Sequence, residues 1–327
     1  MMEHYKFVDH SQVRERMSQT CRLSVAAFAE HDAAPSFDEA YTEWFLRRPG
    51  SSPARCVAAL DGEQMVSMAL VAIQPLQIGS ELLKCGIIDT VATHPQHRRR
   101  GLARRLMCMA HEIIQEEGAD AAILYANPQD HPHLFYQRLG YETRANCRLL
   151  KGKRPEAGGT LSVRRANASE HGAIAEMLND FYASYEGYAP LDQELWAWRK
   201  TERALGSEVD ILVAEAEGQI AATCTSHVTP LLQAQPSAVA TISDFASRED
   251  LCDALDALKS VLAAAPQQDL ACGWDAIDPI CDLFQRAGFV MEANEVSMVL
   301  PLSDKAQEAV KSRRGPWYPM VESICGV

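Results

Sequence analysis

The sequence of 327 residues lacks several features that mark other classes of protein. No apolar run approaches the roughly 20 residues that a membrane helix needs. The first ten residues are polar and lack the apolar core of a signal peptide. Ten cysteines lie scattered between Cys21 and Cys325 without one Cys-x-x-Cys pair, so the spacing indicates neither a structural zinc site nor a thioredoxin-type motif. We therefore expect a cytoplasmic protein with reduced thiols, without a metal and without a membrane partner.

Two catalytic signatures are also missing. The sequence contains no Gly-x-Ser-x-Gly elbow of serine hydrolases and no Gly-x-x-x-x-Gly-Lys-Ser/Thr loop of nucleotide triphosphatases. His131 and His133 lie close together, but the spacing places no third metal ligand beside them. The sequence therefore disfavours a serine hydrolase, a P-loop enzyme and a metalloenzyme.

Acidic residues are abundant but unevenly distributed. The formal net charge is −13, from 31 Lys and Arg against 44 Asp and Glu. Residues 1–155 hold 19 basic and 18 acidic residues (+1), and residues 156–327 hold 12 and 26 (−14). An acidic chain is a poor candidate for binding nucleic acid or an anionic membrane. Five arginines nevertheless lie within the eight positions 98–105, which predicts one anion site in the first half.

A linker at residues 151–160, rich in glycine and charge, separates two regions with the same pattern. Strands followed by helices predict an α/β (α+β) fold, with a mixed central sheet flanked by helices in each region. Three pairs of similar segments support a duplication: 56–62 with 212–218, 88–93 with 242–247, and 135–141 with 283–289. We expect domains at residues 1–154 and 160–302, followed by a C-terminal tail at 303–327.

A basic turn at residues 94–103 lies between a predicted strand and a predicted helix that begins at Leu102. Backbone N–H groups and the helix dipole at such a turn suit a phosphate or pyrophosphate, and glycine allows close backbone approach. The segment resembles the Arg/Gln-x-x-Gly-x-Gly/Ala motif of the GNAT superfamily of N-acetyltransferases, with Arg98, Gly101 and Ala103 at the defining positions. Residues 87–95 and 134–141 resemble that family's fourth strand and a later helix. The chain thus resembles a tandem-domain GNAT protein.

The resemblance implies a catalytic first domain that uses acetyl-CoA as cosubstrate and no metal. It implies that Tyr136 protonates the departing thiolate and that Asn127 hydrogen-bonds the pantetheine arm. The backbone of Val91, Ala92 and Thr93 would pair with that arm. The pyrophosphate and the other phosphate would be held by the basic turn and the first helical residues, namely Arg98, Arg99, Arg100, Gly101, Leu102, Ala103, Arg104 and Arg105.

The reaction also needs a base, because an alkylamine with a pKa of about 10.4 is almost wholly protonated at neutral pH. Asp89 lies where many family members carry a carboxylate on the fourth strand. The alternatives are that Asp89 pairs with a lysine or arginine, and that a carboxylate of the second copy or of Val327 takes the proton. Tyr136, in turn, has the alternative of being only a half-buried helix aromatic.

The second copy departs from the family pattern in two ways. Its strand and helix are separated by three residues where the first copy has eight, so the arginine-glycine segment is missing. Phe284 stands where Tyr136 stands in the first copy, and a phenyl ring cannot donate a proton. We therefore expect a degenerate domain that binds no coenzyme A and has a structural or substrate-shaping role.

The acceptor is predicted to be a small-molecule primary amine, which would attack directly within a ternary complex. Carboxylates and aromatic rings suit a cationic amine, and two segments supply them: Glu30, Asp32, Asp38, Glu39 and Glu43 in one, and Phe181, Tyr182, Tyr185, Tyr188, Trp196 and Trp198 in the other. The alternative is that these aromatics belong to the core. Two other functions stay open, a coenzyme-A-binding sensor or scaffold without turnover and acyl transfer from a carrier protein's phosphopantetheine. The sequence also leaves open the acceptor's identity, the acyl chain length and whether the protein forms a homodimer.

Overall fold

A computed structural model of the chain describes residues 4–31, 34–204, 209–229, 239–313 and 315–323. The strands are β1 (Tyr5–Asp9), β2 (Val57–Asp61), β3 (Gln64–Ile78), β4 (Glu81–Thr93), β5 (Ala121–Ala126), β6 (Glu142–Lys153), β7 (Ser162–Arg165), β8 (Val209–Ala216), β9 (Gln219–His227), β10 (Val239–Ser247), β11 (Asp269–Asp275) and β12 (Val290–Pro301). The helices are α1 (Arg16–Phe28), α2 (Glu39–Leu46), α3 (Leu102–Glu116), α4 (His131–Gln137), α5 (His171–Tyr182), α6 (Gln193–Trp196), α7 (Ala254–Ala263), α8 (Pro279–Arg286) and α9 (Asp304–Val310).

Twelve strands of the described residues form one mixed sheet, in the order β1-β2-β3-β4-β5-β12-β6-β11-β10-β9-β8-β7. The pairs β4–β5 and β10–β11 are parallel, and the remaining neighbours are antiparallel. Helices cover the sheet, so the predicted α/β fold class with a mixed central sheet is confirmed.

The last strand of each half crosses into the other half. β6 ends the first half, yet it lies between β12 and β11 of the second half. β12 in turn pairs with β5 of the first half. If β1–β6 and β7–β12 exchange their numbers in sequence, the sheet has the same strand order when it is read from its opposite edge. The order therefore has approximate two-fold symmetry. The domain limits at 1–154 and 160–302 stay a prediction, and the sheet joins these two segments into one structure.

The same backbone irregularity occurs in both halves. The register between β3 and β4 shifts between Met68 and Leu70, and Thr90 beside this bulge has φ +49°. The register between β9 and β10 also shifts, and Asp244 there has φ +53°. These two residues are 154 positions apart, the same offset that the sequence repeat shows for this strand.

Helix α3 packs on the sheet through one apolar face. Leu102, Leu106 and Ile114 are fully buried along this face. Gly86 on β4 permits the close approach, since a Cβ atom there would lie 2.5 Å from the Ile114 side chain. This packing fixes the start of α3 against the carboxyl end of β4.

Within these same ranges, no helix is long and apolar enough to cross a membrane. The described residues also contain no group of three or more His, Cys, Asp or Glu side chains that could hold a metal ion. The described cysteines are all free.

Candidate active site

Strands β4 and β5 separate part-way along their length. Their parallel pairing covers residues 85–87 and 121–123 and then stops, although β4 continues to Thr93 and β5 to Ala126. The bulge at Thr90 lies in this unpaired stretch of β4. Backbone groups on an uncovered strand edge can bind an extended ligand as an added strand would. The cleft is therefore shaped for a chain-like group that carries amides.

Val91, Ala92 and Thr93 are the residues whose backbone is predicted to pair with the ligand. Their backbone groups do not all point to this opening. The carbonyl oxygen of Ala92 accepts a hydrogen bond from Ser67 Oγ on β3, at 2.8 Å. The next residue but one, His94, donates its N–H to Val66 on the same side, at 2.9 Å. Because neighbouring residues of a strand direct their backbone groups to opposite sides, Val91 and Thr93 are oriented toward the cleft. The expectation for the Ala92 carbonyl is therefore corrected, since that group serves the β3 edge.

The basic turn leads from β4 to the first residue of α3. Gly101 caps this helix with φ +84° and supplies no side-chain acceptor. The first N–H groups of a helix have no partner within the helix, so they remain available to a ligand. Left-handed geometry at Arg99, φ +63°, completes the turn. The start of α3 is thus an uncapped, positively polarised helix end.

The arginines of the turn divide into two groups. Arg98 donates to the Ala27 carbonyl at 2.9 Å, and Arg100 donates to the Tyr5 hydroxyl at 2.7 Å. These two contacts tie the turn to α1 and β1. The others, Arg99, Arg104 and Arg105, are exposed, and within the described ranges no carboxylate pairs with them. They are the residues that can reach phosphates.

A cavity of about 430 Å³ lies where the cleft ends. Helices α1 and α2 form one side, and the carboxyl ends of β4 and β5 with α4 form another. The wall includes five of the predicted positions or their neighbours, Asp89, Thr90, Val91, Asn127 and Tyr136. It also includes residues of the second half and the tail, among them Arg203, Thr229, Asn294, Glu295, Val321, Glu322 and Ser323. Both halves of the chain thus enclose one space.

Tyr136 reaches the cavity from α4. Its side chain is 7% exposed. Burial raises the pKa of the Tyr136 hydroxyl above its ordinary value, and the nearby carboxylate of Glu295 adds to the rise. A phenol with a raised pKa stays protonated at neutral pH, so it carries the proton that a general acid must donate. The hydroxyl is therefore a candidate acid on the cavity wall that also includes Val91.

The sequence left open whether Asp89 is a base or the partner of a lysine or arginine, and its two oxygen atoms differ in this respect. Its Oδ2 atom accepts from Arg48 Nη1 at 2.6 Å and from Ser323 Oγ at 3.1 Å. Its Oδ1 atom makes no hydrogen bond to any described residue, and Asp89 lines the cavity. Burial raises the pKa of Asp89, and the Arg48 guanidinium opposes that rise. The carboxylate is thus held by an ion pair while one oxygen is left to accept a proton from a ligand.

Asn127 forms an Asx turn at the end of β5. Its Oδ1 atom accepts the N–H of Gln129 at 2.9 Å, and the residue is exposed at the cavity wall. The amide Nδ2 is the remaining donor, so it suits a carbonyl of an extended ligand.

Comparison with known proteins agrees with this geometry. Residues 11–144 match the family model of the acetyltransferase (GNAT) domain. These residues are a GNAT acetyltransferase domain. The protein therefore carries an acyltransferase domain of the GNAT type. A comparison with curated proteins gave no match.

Three solved structures share the overall fold. A probable N-acyltransferase from Enterococcus faecalis V583 is 13% identical, with a TM-score of 0.66, over 92% of this chain and 74% of its own. A GCN5-related N-acetyltransferase from Anabaena variabilis is 14% identical, with a TM-score of 0.65, over 91% and 73%. One from Kribbella flavida is 17% identical, with a TM-score of 0.61, over 92% and 72%. At these identities the likeness concerns the fold, and it extends well beyond the GNAT domain into the second half.

The corresponding cleft of the second half is filled by the protein itself. Phe245, which matches Val91 of the GNAT domain, has its carbonyl oxygen bonded by the Tyr182 hydroxyl at 2.5 Å. Phe284, at the position of Tyr136, is fully buried in the core. Helix α7 begins at Ala254, so six residues and not the expected three follow β10. Its N-terminus is already capped by the Asp253 carboxylate.

Several predicted acceptor contacts lie elsewhere. Most of the aromatic residues in the segment 181–198 are buried. The alternative that these aromatics belong to the core is therefore correct for Tyr182, Tyr185, Tyr188, Trp196 and Trp198. The carboxylates of α2 and the loop before it, Asp38, Glu39 and Glu43, do not line the cavity, and Glu30 pairs with Arg98 at 3.7 Å. Asp32 and Val327 lie outside the described residues.

Sequence reasoning missed charged residues at the cavity wall or directly behind it, among them Arg48, Arg203, Glu295 and Glu322. These four come from the loop after α2, from the loop before β8, from β12 and from the tail. Arg48 and Arg203 lie next to aromatic-rich stretches of the sequence, and this was the one signal that could have pointed to them.

Proposed function

We propose that this protein transfers an acetyl group from acetyl-CoA to a primary amine of a small molecule, by direct attack within a ternary complex. One observation carries the proposal: the cleft between β4 and β5 leads from the basic turn to a cavity that contains both Tyr136 and Asp89. Acid and base candidates on one cavity wall are what acyl transfer to an amine requires.

The donor side of the cleft fits coenzyme A. The uncapped start of α3 and the exposed Arg99, Arg104 and Arg105 match a group with several phosphates. The backbone of Val91 and Thr93 matches the amides of a pantetheine arm, which continues toward the cavity. Both features lie at the same end of β4, so one ligand can use them together.

The protein's own groups then exchange protons with the substrates. Asp89 accepts the proton of the ammonium group at Oδ1, while Arg48 and Ser323 hold its other oxygen. The freed amine attacks the thioester carbonyl, the new C–N bond forms and the C–S bond breaks. Tyr136 donates its proton to the departing sulfur, and the nitrogen of the new amide loses its surplus proton, which restores the Tyr136 hydroxyl.

The second half has the role of a partner in this proposal. Its own cleft is filled by Tyr182 and its helix start is capped by Asp253, so it binds no coenzyme A. It supplies instead a wall of the acceptor cavity. We also propose that the protein works in the cytoplasm and binds no nucleic acid, which agrees with its acidic charge and its free cysteines.

Tyr136→Phe tests the proposal directly. With acetyl-CoA and a panel of small amines, we expect kcat to fall about 10²- to 10³-fold, because the departing thiolate loses its proton donor. The Kd for acetyl-CoA, measured by calorimetry, should change less than about twofold. Tyr188→Phe is the matched control, since its hydroxyl bonds Asn179 at 2.8 Å outside the cavity. Tight binding of acetyl-CoA without transfer to any amine would favour a sensor or scaffold instead.

A further inference from the structure

One cation on the cavity wall, Arg203, has no hydrogen-bond or ion-pair partner among the residues that the structure describes. Its guanidinium contacts an aromatic ring instead. Its Nε atom is buried and unpaired. A buried donor without an acceptor destabilises a folded protein. Such a group is expected where a ligand supplies the missing acceptor.

Packing holds this guanidinium in place. Its Cζ atom lies 4.9 Å from the centre of the Trp44 ring, a cation–π distance. Trp44 stacks on Trp198 at 4.8 Å, and each indole donates to the backbone carbonyl of the other residue, at 2.8 and 2.9 Å. Both rings are almost fully buried. The platform is therefore rigid, and the position of Arg203 depends on aromatic contact and not on an ion pair.

The charged residues near Arg203 form ion pairs with one another and not with Arg203. Behind this wall lie four cations and three carboxylates, which form the pairs Arg48 with Asp89, Arg199 with Glu322, and Lys200 with Asp244. Glu322 lies 3.5 Å from Arg199 and forms no ion pair with Arg203, although its negative charge also acts on the Arg203 guanidinium. Burial keeps the pKa of His227 well below its usual value, so this neighbour is neutral. Arg203 is thus the cation of this group that has no ion pair of its own, on a wall that also carries the carboxylates of Asp130 and Glu295.

We propose that Arg203 binds a carboxylate of the acceptor, so that the acceptor carries a carboxylate as well as the amine and is an amino acid or a close derivative. A guanidinium and a carboxylate match as two parallel N–H···O bonds, and an excluded-water site strengthens them. The inference rests on the proposed function and names its substrate class. It replaces the expectation of a purely cationic amine, because the carboxylates and most of the aromatics that supported that expectation lie outside the cavity wall.

Matched acceptors test this assignment. Amino acids and their carboxamides present the same amine, and only the amino acid presents a carboxylate. We expect wild-type kcat/KM to be about 10- to 100-fold higher for the amino acid. Arg203→Gln should lower kcat/KM for the amino acid by that factor and leave the carboxamide within about twofold. Arg203→Lys keeps the charge without the fork and should be intermediate.

The control variant is Arg47→Gln, which removes an exposed arginine of the same region outside the cavity. It should leave the preference for the carboxylate unchanged. Thermal melting and circular dichroism establish that Arg203→Gln is folded, and its retained activity on the carboxamide is a second check.

The two proposals fail in different ways. If wild type acetylates the carboxamides as well as the amino acids, Arg203 has no carboxylate to bind and this inference is wrong, while acetyl transfer stands. If no amine is acetylated, calorimetry with the amino acids themselves decides: binding to wild type that is lost in Arg203→Gln supports the inference and sinks the proposed function. Absence of binding to wild type overturns the inference as well.

Discussion

Asp89→Asn separates proton removal from structural support, because this carboxylate takes part in both. At about pH 7.5 only about one in a thousand alkylamine molecules with a pKa of about 10.4 is unprotonated. If Asp89 removes the proton of the bound ammonium, the variant loses that advantage. We expect kcat/KM for an alkylamine to fall about 10²- to 10³-fold.

A weakly basic acceptor provides the internal comparison. An arylamine or hydrazide with a pKa below about 5 is already unprotonated, so it needs no base, and its kcat/KM should fall less than about threefold. The ratio of the two substrates therefore reports proton removal alone. The raised pKa of Asp89 should also place the acidic limb of the wild-type pH profile above the ordinary carboxyl range, and this limb should disappear in the variant.

The variant also breaks a buried ion pair, since Arg48 and Asp89 are 2% and 10% exposed and 2.6 Å apart. Leaving Arg48 unpaired should cost about 3–5 kcal/mol of unfolding free energy. Glu186→Gln is the matched control, because Glu186 is a buried carboxylate paired with Arg144 at 2.7 Å away from the cavity. It should destabilise the protein similarly and leave the substrate ratio unchanged. An equal loss on both acceptors in Asp89→Asn would refute the role of Asp89 as base.

Two further predictions concern the donor site and the second half. Arg104→Glu with Arg105→Glu should raise the Kd for acetyl-CoA about tenfold or more, because both arginines are exposed beside the start of α3; unchanged turnover would favour a carrier-protein donor. Burial raises the pKa of Asp278 from 3.8 to about 6, so the folded state holds that proton more tightly and stability falls by about 3 kcal/mol as the pH rises from about 4 through 6. Asp278→Asn should therefore raise the denaturation midpoint at about pH 7.5 and not at about pH 4. Asp253→Asn, at an exposed helix cap, is the control and should leave the midpoint unchanged at both pH values. An equal shift of the Asp278→Asn midpoint at both pH values would contradict this reasoning.

The local features of the GNAT domain were predictable because they depend on short stretches of chain. Helix α3 begins at Leu102 as its apolar spacing predicts, and the turn before it combines glycine with exposed arginines. The repeat was visible because short segments such as 88–93 and 242–247 carry related residues, and the two strands that contain them share the same bulge. Strand β1 was missed, since its five residues alternate too briefly to give a pattern.

The exchange of β6 and β12 could not be predicted from the sequence. Backbone hydrogen bonds do not depend on the side chains, so either strand would satisfy the hydrogen bonds of β5 or β11. The choice between them depends on the linker and on contacts across the whole sheet. The partners of Asp89 are equally remote, because Arg48 precedes it by 41 residues and Ser323 follows it by 234. Pair interactions at such separations leave no periodic signal.

The exchange also explains why a half without its own donor site remains part of the catalytic structure. β12 lies directly beside β5, and its bulge at residues 294–295 adds Asn294 and Glu295 to the cavity wall. The tail returns to the GNAT domain, where Ser323 bonds Asp89. A separated first half would lack the strand next to β5, one partner of Asp89 and the cation Arg203. Once Tyr182 filled the second cleft, selection on the second half would act through the acceptor cavity, where these residues determine which amine can bind.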